Sequence, residues 1–488
     1  MSLRLKTISG FKWSFIDNFA NTGIQFIVGL VLARLLSPNE FGLIGMLTFF
    51  IAISQAFVDS GFGQALIRKQ NCTETDYSTV FFFNLFVGIL FYFVLFFIAG
   101  PVSHFYKEPQ LFLLLRVLGL VLIINAVTIV QRTILIKDIN FKLQTQISLI
   151  STITSGLIAI VLAYNGYGVW CLVWKTILQN AINSFLLWVW NRYRPVFTFS
   201  IDSFREMFGF SYKLLLSGLI DGGYRNIYLL IIGKFFSATE LGFYTRADMF
   251  NNLPSSNITA VIQRVSYPVL SSLQDNPDRL KFGYKKLIKN TMFISFVLML
   301  GMASVAKPMI VMLIGNKWLP SVPYLQLLCF VGMLYPLHAL NLNILTVRGR
   351  SDLFLKLEVI KKILGIPTII IGIFFGIKAM IIGMIVYSMI AYFINSYWTN
   401  KLIAYPVREQ LLDIAPSFII AMTMGAIMFI IGSLITIKPV IVFFLQFITG
   451  GLFVIFLGEI VKLEPYLEIK QIIIANIRLP FFTKKKSD

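Results

Sequence analysis

Two opposite charges interrupt one of the most apolar stretches of the chain. Asp221 and Arg225 lie four residues apart near the middle of an apolar run from about residue 208 to 236. Residues at this spacing share one face of a helix, so the carboxylate and the guanidinium can pair. The guanidinium can also bind a phosphate in a bidentate manner. A charge at the centre of a membrane helix costs about 2.5 to 3.5 kcal/mol, so neither group is expected to face lipid.

A second set of polar side chains lies in the first apolar run. Asn18, Asn21 and Gln25 follow helical spacing and are preceded by Asp17. Their amides can hydrogen-bond to a ligand or to neighbouring helices. Two interpretations stay open: these groups line a water-filled cavity that contacts a substrate or an ion, or the two charges of the later run form a structural ion pair that clamps two helices.

Three further residues carry the same ambiguity. Asn252 and Arg264 belong to an apolar run from about 242 to 267, and Asp59 lies toward the end of an earlier run. Arg264 and Asp59 are expected near helix ends, where a charged group reaches the interface at little cost. Each is either an interfacial anchor or part of a cavity, and the amide of Asn252 bonds either sugar hydroxyls or another helix.

These residues must be positioned by membrane-spanning helices, and the composition of the chain indicates such helices. Of 488 residues, 57% are hydrophobic and 13% are charged, whereas a soluble domain has about 25% charged residues. Fourteen apolar runs approach the roughly 20 residues that span a bilayer. Their approximate ranges are 11–36, 42–66, 79–99, 111–131, 146–163, 169–190, 208–236, 242–267, 291–314, 323–346, 363–377, 379–397, 415–436 and 440–460. The sequence predicts an all-α polytopic membrane protein with about fourteen transmembrane helices.

The chain contains an internal echo. The segment RLLSPNEFG at 34–42 returns as KFFSATELG at 234–242. In both, Ser is followed three residues later by Glu, the pattern of a capping box at a helix start, and Pro38 occupies the favoured first helical position of the first copy. Each copy follows a long apolar run. The echo therefore predicts two related halves with the same orientation in the membrane.

The echo also relates the two sets of polar residues. Gly42 aligns with Gly242 at an offset of 200 residues and Gly10 aligns with Gly209 at an offset of 199, so the repeat contains a one-residue slip. With the slip placed before these positions, Asn21 aligns with Asp221 and Gln25 aligns with Arg225. The first half thus supplies neutral hydrogen-bonding groups where the second half supplies charge.

The distribution of basic residues predicts the orientation. Most of the 42 Lys and Arg fall in alternate connections, for example Arg68 and Lys69, the run from Arg279 to Lys289, and Lys484 to Lys486. By the positive-inside rule, both termini are cytoplasmic. The formal charge of +20 is dispersed over one membrane surface, where anionic lipids attract it. We therefore expect membrane lipids, and no nucleic acid, as partners.

Several kinds of chemistry are not expected. The three Cys (Cys72, Cys171, Cys329) and two His (His104, His338) have no spacing that suggests a disulfide framework or a metal site. No glycine-rich loop with Lys and Ser or Thr indicates an ATP site. We expect no cofactor and no catalytic residues. Any energy-driven transport would draw on a proton or sodium gradient, or on the gradient of the substrate itself.

Three segments resemble a known family. DSGFGQALIR at 59–68, GYGVW at 166–170, and NLPSSNITAVIQRVSYPVLSSLQDNPDRL at 252–280 are similar to the polysaccharide-transport branch of the multidrug, oligosaccharidyl-lipid and polysaccharide (MOP) flippases. This branch includes Wzx-type O-antigen flippases and exporters of the colanic-acid and teichuronic-acid type. The resemblance implies two pseudo-symmetric six-helix lobes, as in the multidrug and toxin extrusion (MATE) transporters, plus two C-terminal helices.

The predicted domains follow from this resemblance and from the apolar runs. They are an N-lobe at 1–195, a C-lobe at 196–400, two further spans at 401–462, and a cytoplasmic interfacial tail at 463–488. The resemblance places the protein in the bacterial cytoplasmic (inner) membrane. It also makes a polysaccharide polymerase a candidate partner.

The implied function is export of a lipid-linked oligosaccharide. The resemblance implies that undecaprenyl-diphosphate-linked repeat units move from the cytoplasmic to the periplasmic leaflet by alternating access. Under this hypothesis Arg225, or secondly Arg264, contacts the diphosphate, and Asp221, or less readily Asp17, carries a coupling ion. Asn18, Asn21, Gln25 and Asn252 complete the expected cavity.

Two alternatives stay open. A drug or metabolite antiporter of the same superfamily would share the architecture, but it ordinarily has twelve spans. A membrane glycan polymerase or ligase would need a large extracytoplasmic loop, whereas the predicted outside connections, such as 100–110, are short.

Overall fold

The fold consists of α-helices. The computed structural model describes residues 3–191, 193–435 and 437–482, and within these ranges it contains twenty α-helices, one turn of 3₁₀ helix and no strand. The chain divides into two compact units, Met1–Thr245 and Arg246–Asp488.

The first unit contains ten helices and the start of an eleventh. They are α1 (Leu3–Leu35), α2 (Pro38–Asp59), α3 (Phe62–Arg68), α4 (Glu74–Tyr106), α5 (Leu111–Leu118), α6 (Leu120–Ala126), α7 (Ile129–Lys137), α8 (Phe141–Tyr164), α9 (Trp170–Trp190), α10 (Ile201–Phe235) and α11 (Ala238–Ser271). Helix α8 packs between α1 and α9, while α10 packs along α2 and contacts α3 and α4. This packing joins α10 to the first unit, whereas the predicted N-lobe ends at residue 195. The predicted domain boundaries stay predictions.

The second unit contains the end of α11 and the remaining helices. These are α12 (Pro277–Ile314), a 3₁₀ turn (Asn316–Trp318), α13 (Ser321–Gly332), α14 (Tyr335–Val347), α15 (Ser351–Leu364), α16 (Ile366–Phe375), α17 (Ile377–Ile403), α18 (Val407–Leu434), α19 (Pro439–Ile460) and α20 (Glu464–Phe482). Helix α12 contacts α13, α18, α19 and α20. The basic end of the predicted tail, Lys484 to Lys486, lies outside the described residues.

Ten helical segments of the described chain are long and apolar enough to cross a membrane. Helices α10 and α11, which contain 35 and 34 residues, are not among them. Their sequences include Asp221, Arg225, Arg246, Asp248 and Arg264, which lower the hydropathy of these long helices. The polytopic all-α class is confirmed, while the count of fourteen spans stays a prediction.

The two copies of the echo start helices, as predicted. Helix α2 begins after Ser37, whose backbone N–H donates to Glu40 Oε2 at 2.6 Å. Helix α11 begins after Ser237, whose Oγ accepts from the backbone N–H of Glu240 at 3.2 Å. Each Ser–Glu pair satisfies backbone groups that the first turn of a helix leaves without partners.

The two helix starts also contact each other through glycine. A methyl group added to Gly42 of α2 would lie 1.6 Å from the carbonyl oxygen of Ala238 in α11, and one added to Gly242 would lie 1.9 Å from that of Pro38. The contact is reciprocal, as expected for two related segments that cross near a local two-fold axis. Glycine is required at both positions because the backbones approach too closely for any side chain. The echo therefore encodes a backbone crossing as well as two caps.

A row of lysines on α12 holds the C-terminal helices in the second unit. Lys281 and Lys285 bind Glu409, Lys285 and Lys289 bind Asp413, Lys289 binds Glu464, and Lys286 binds Glu468, with N–O distances of 2.7 to 3.6 Å. The four lysines span two faces of α12, and their partners lie on α18 and α20. A network of this kind stabilises more than isolated surface pairs do. Much of the positive charge of this segment is thus neutralised within the unit.

The glycine crossing gives a first prediction. We expect Gly42→Ala or Gly242→Ala to lower the thermal stability of the purified protein in detergent, by the equivalent of about 1 to 3 kcal/mol, because the added methyl group displaces one helix start. Gly23→Ala is the matched control, since a methyl group there meets no atom within 4 Å. An unchanged melting temperature for both crossing variants would contradict this description of the contact.

Candidate functional site

A cavity lined by both polar and apolar residues lies within the first unit. It has a volume of about 760 Å³ and is bounded by the end of α2, by α3, α6, α7 and α9, and by one face of α10. Its principal polar lining residues are Gln55, Asp59, Gln64, Asn125, Arg132 and Asn180. Leu214, Leu215 and Gly218 of α10 form an apolar part of the wall. A cavity of this size and composition can hold a hydrated polar group of a small-molecule ligand.

A break between α2 and α3 shapes the cavity. Ser60 and Gly61 adopt left-handed backbone angles, with φ of 35° and 78°, and both line the cavity directly after Asp59. A β-carbon added to Gly61 would lie 2.8 Å from Cβ of Leu214 in α10. Glycine therefore meets two requirements here: positive φ and close packing against a neighbouring helix. The break ends α2 at Asp59 and redirects the chain into α3.

An apolar cluster fixes the helices beside this break. It contains Phe62, Ala65, Leu66, Val80, Phe81, Val130 and Met207, all of which are buried. These residues come from α3, α4, α7 and α10. Within a membrane such side chains hold helices together by van der Waals packing. The cluster thus anchors four of the segments that carry or support the cavity wall.

Salt bridges and hydrogen bonds of two lysines also hold the segment around α3. Lys69 binds Asp76 at 3.0 Å and Glu206 at 2.9 Å, and hydrogen bonding to Glu206 raises the pKa of Lys69. Lys137 donates to the carbonyl oxygens of Leu66 and Lys69, at 3.3 and 2.6 Å. These lysines therefore tie α3 to its neighbours.

A chain of amides orients the carboxylate of the cavity. Asn125 Nδ2 of α6 donates to Gln55 Oε1 at 2.9 Å, and Gln55 Nε2 donates to Asp59 Oδ1 at 3.1 Å. Gln55 and Asp59 are one helical turn apart on α2, so both side chains face the same wall. Each link restrains the next, and Asp59 is held at the cavity surface.

Arg132 is the cation of this cavity. Its side chain lies on α7 and is exposed. Its guanidinium interacts electrostatically with the carboxylates of Asp59 and Asp17. Among the described residues, neither carboxylate is within salt-bridge distance of Arg132, and no side chain or carbonyl accepts a hydrogen bond from its guanidinium. The N–H donors of Arg132 are therefore available to a ligand in the cavity.

Of the predicted residues of α1, Asn21 connects this helix to α8. Asn21 Nδ2 donates to Asp17 Oδ1 at 2.7 Å and to Ser148 Oγ at 2.5 Å, and Thr152 Oγ1 donates to Asn21 Oδ1 at 2.9 Å. Two of these three hydrogen bonds join α1 to α8, and the third stays within α1. The remaining two, Asn18 and Gln25, are exposed on α1 and do not line the cavity.

The predicted charges of α10 also lie outside the cavity lining. Asp221 and Arg225 are exposed, and they follow the cavity wall by one to three helical turns. Their assignment to substrate and ion binding stays a prediction. The alternative of a structural ion pair between these two residues also stays a prediction.

The other two predicted residues lie on α11 in the second unit. Arg264 is exposed, and Asn252 is half-buried, with its carbonyl oxygen accepting a hydrogen bond from Ser256 Oγ. The cavity, by contrast, belongs wholly to the first unit. Binding roles for these two residues stay predictions.

Five of the principal polar lining residues were not identified from the sequence. They are Gln55, Gln64, Asn125, Arg132 and Asn180, which lie in or beside apolar runs, and the fourth predicted run ends at residue 131. In the structure the helical segments of this span continue to Lys137, which places Arg132 inside it. A helical projection extended past residue 131 would have aligned Arg132 with Thr128 and Asn125, all of which face the cavity.

Solved structures share this fold. The structure of the lipid II flippase MurJ in an inward closed conformation covers 92% of this chain and is itself covered completely, with a TM-score of 0.72 and 14% identity. An inward-facing multidrug resistance MATE family transporter of the MOP superfamily covers 79% of this chain, with 94% of its own chain matched, a TM-score of 0.61 and 14% identity. The prediction of a MOP-type fold is confirmed.

Sequence comparisons are more specific. The teichuronic acid biosynthesis protein TuaB of Bacillus subtilis (strain 168) is 29% identical over 356 residues, which cover 72% of this chain and 73% of TuaB. The lipopolysaccharide biosynthesis protein WzxC of Escherichia coli (strain K12) is 26% identical over 445 residues, with 88% and 89% coverage. Residues 31–323 match the profile of a family described as polysaccharide biosynthesis protein. This match spans more than half of the chain, which therefore belongs to the polysaccharide biosynthesis protein family.

Proposed function

We propose that this protein is a flippase that moves undecaprenyl-diphosphate-linked oligosaccharide units from the cytoplasmic to the periplasmic leaflet of a bacterial inner membrane. The observation that carries the proposal is a cavity in a membrane-spanning unit that is lined by amides and by the guanidinium of Arg132, which bonds to none of the described residues. Sugar hydroxyls need hydrogen-bonding partners in such surroundings. The names of TuaB and WzxC connect the family with surface polysaccharides, and MurJ is a flippase of the same fold.

The proposed transport cycle divides the substrate among three surroundings. The oligosaccharide enters the cavity, where Gln55, Asn125 and Asn180 supply hydrogen bonds. The diphosphate binds a cation, and the prenyl tail stays in lipid because moving it into a polar cavity costs about 0.8 kcal/mol per CH₂ group. Rocking of the two lobes then exposes the cavity to the other side.

The finer assignments belong to the same proposal. Both termini are cytoplasmic, as the positive-inside rule predicts, and the cavity then opens in the cytoplasmic half, near the ends of α2 and α7. Asp221 or Asp17 is the proposed site of a coupling proton or sodium ion. A polysaccharide polymerase that uses the exported units is the proposed partner.

The proposed orientation can be tested by cysteine labelling. In a variant whose three native cysteines are replaced by alanine, we expect Asn180→Cys to react with a membrane-impermeant maleimide in inverted vesicles, because Asn180 lines the cavity. Leu122→Cys is the control, since Leu122 lies in neighbouring α6 but is fully buried. Labelling of Asn180→Cys only from the periplasmic side would contradict a cytoplasmic opening.

The proposed function can be tested by deleting the gene and analysing lipids. We expect lipid-linked oligosaccharide to accumulate in the cytoplasmic leaflet, where it stays protected from a periplasmic glycan-cleaving enzyme, and export to return with the wild-type gene. A drug or metabolite antiporter would instead leave this lipid pool unchanged and alter drug sensitivity. Loss of polymer with normal translocation of single units would favour the polymerase or ligase.

A further inference from the structure

We infer that Arg132 receives the diphosphate in the cavity and that Asp59 acts as an internal counter-ion that limits how tightly the diphosphate is held. This inference rests on the proposed function and deepens it. It assigns binding of the substrate's diphosphate to Arg132 and release of the diphosphate to Asp59. Both residues line the cavity. Asp59 was left open from the sequence as an interfacial anchor or a cavity residue, whereas Arg132 was not considered.

The guanidinium of Arg132 is available to a ligand in the cavity. Its guanidinium is permanently charged, presents five N–H donors, and makes no hydrogen bond or salt bridge to any described residue. It is also exposed to the cavity. Two parallel N–H groups match the spacing of two phosphate oxygens, which gives a bidentate contact. The geometry therefore fits an anionic group better than a neutral sugar.

Two carboxylates, those of Asp17 and Asp59, attract this guanidinium. Asp17, on α1, is not part of the cavity lining, and Asn21 donates to its Oδ1 at 2.7 Å. Asp59 lines the cavity itself, and its Oδ1 accepts from Gln55. Asp59 is therefore the carboxylate that a bound diphosphate would meet. It neutralises Arg132 in part when the cavity is empty, and it repels the diphosphate when the cavity is filled.

Asp59 promotes release of the diphosphate from Arg132. A transported group must bind well enough to enter and weakly enough to leave. An exposed guanidinium without a competing carboxylate would retain a diphosphate strongly, because charge-assisted contacts are about twice as strong as neutral ones. The amide chain from Asn125 through Gln55 keeps Asp59 in place, so that the competition does not depend on a mobile side chain. Removing the charge of Asp59 should thus tighten binding and slow transport.

The test compares variants of the full-length protein in detergent. Geranylgeranyl diphosphate is the anionic probe, and geranylgeraniol is the uncharged probe with the same chain. We expect Arg132→Gln to weaken binding of the diphosphate by roughly tenfold or more and to leave binding of the alcohol unchanged. Arg68→Gln is the matched control: Arg68 is an exposed arginine next to the lining residue Ile67 but is not itself part of the lining.

The Asp59 variant is expected to change the affinity for the diphosphate in the opposite direction. Asp59→Asn keeps the shape of the side chain and an oxygen that can accept from Gln55, but it removes the charge. We expect it to bind the diphosphate several-fold more tightly and to export oligosaccharide more slowly at normal abundance. A merely structural role for Asp59 would weaken binding and export together, and that result would overturn the inference.

Other outcomes separate the inference from the proposed function. Wild-type diphosphate affinity in Arg132→Gln, equal losses for both probes, or loss in Arg225→Gln instead would each overturn the assignment of Arg132. If Arg132→Gln loses only the diphosphate but deletion of the gene leaves lipid-linked oligosaccharide unchanged, the anion site stands and the proposed function fails. If deletion causes accumulation while Arg132→Gln binds and exports normally, the function stands and the inference fails.

Discussion

A charge inside a membrane protein needs water, an opposite charge or a hydrogen-bond partner, and this requirement determines where the charged side chains of the molecule lie. The requirement arises because desolvation of an ionised group is expensive in an apolar medium. On α12, a row of lysines meets it with carboxylates, as in the pair of Lys285 and Asp413 at 2.9 Å. On α1, Asp17 meets it with the amide of Asn21. Arg132 meets this requirement in another way. Its guanidinium faces a cavity and interacts electrostatically with two carboxylates, but it forms a salt bridge with neither of them.

The backbone determines where that cavity can form. The left-handed residues Ser60 and Gly61 end α2 directly after Asp59, and Gly61 packs closely against α10. At the other end of α2, Gly42 crosses the start of α11 at backbone contact distance. One helix is thus fixed at one end by a crossing and is broken at the other beside the polar wall. Its intervening residues, including Gln55, can present side chains to the cavity because both ends are held.

Sequence analysis could predict the class, the family resemblance and the caps, because hydropathy, composition and capping are local properties. It could also locate the glycines of the echo, although nothing local shows that Gly42 and Gly242 pack against each other's helices. The site was harder to predict for a physical reason. A charge in the middle of an apolar run, such as Arg225, is recognised as a candidate because placing it in a membrane costs free energy. Arg132 lies just past the end of an apolar run, so its position in the sequence is that of an ordinary interfacial residue. The amide of Asn21 fitted a cavity, but its partners on α8 are distant in the sequence.

The central claim is that the cavity of the first unit binds the diphosphate of a lipid-linked oligosaccharide through Arg132. The most direct measurement is an experimental structure of the full-length protein with a prenyl diphosphate bound. We expect phosphate density within hydrogen-bonding distance of the Arg132 guanidinium, with Asp59 facing it across the cavity. Phosphate density bound to Arg225 or Arg264, with Arg132 uninvolved, would contradict the claim.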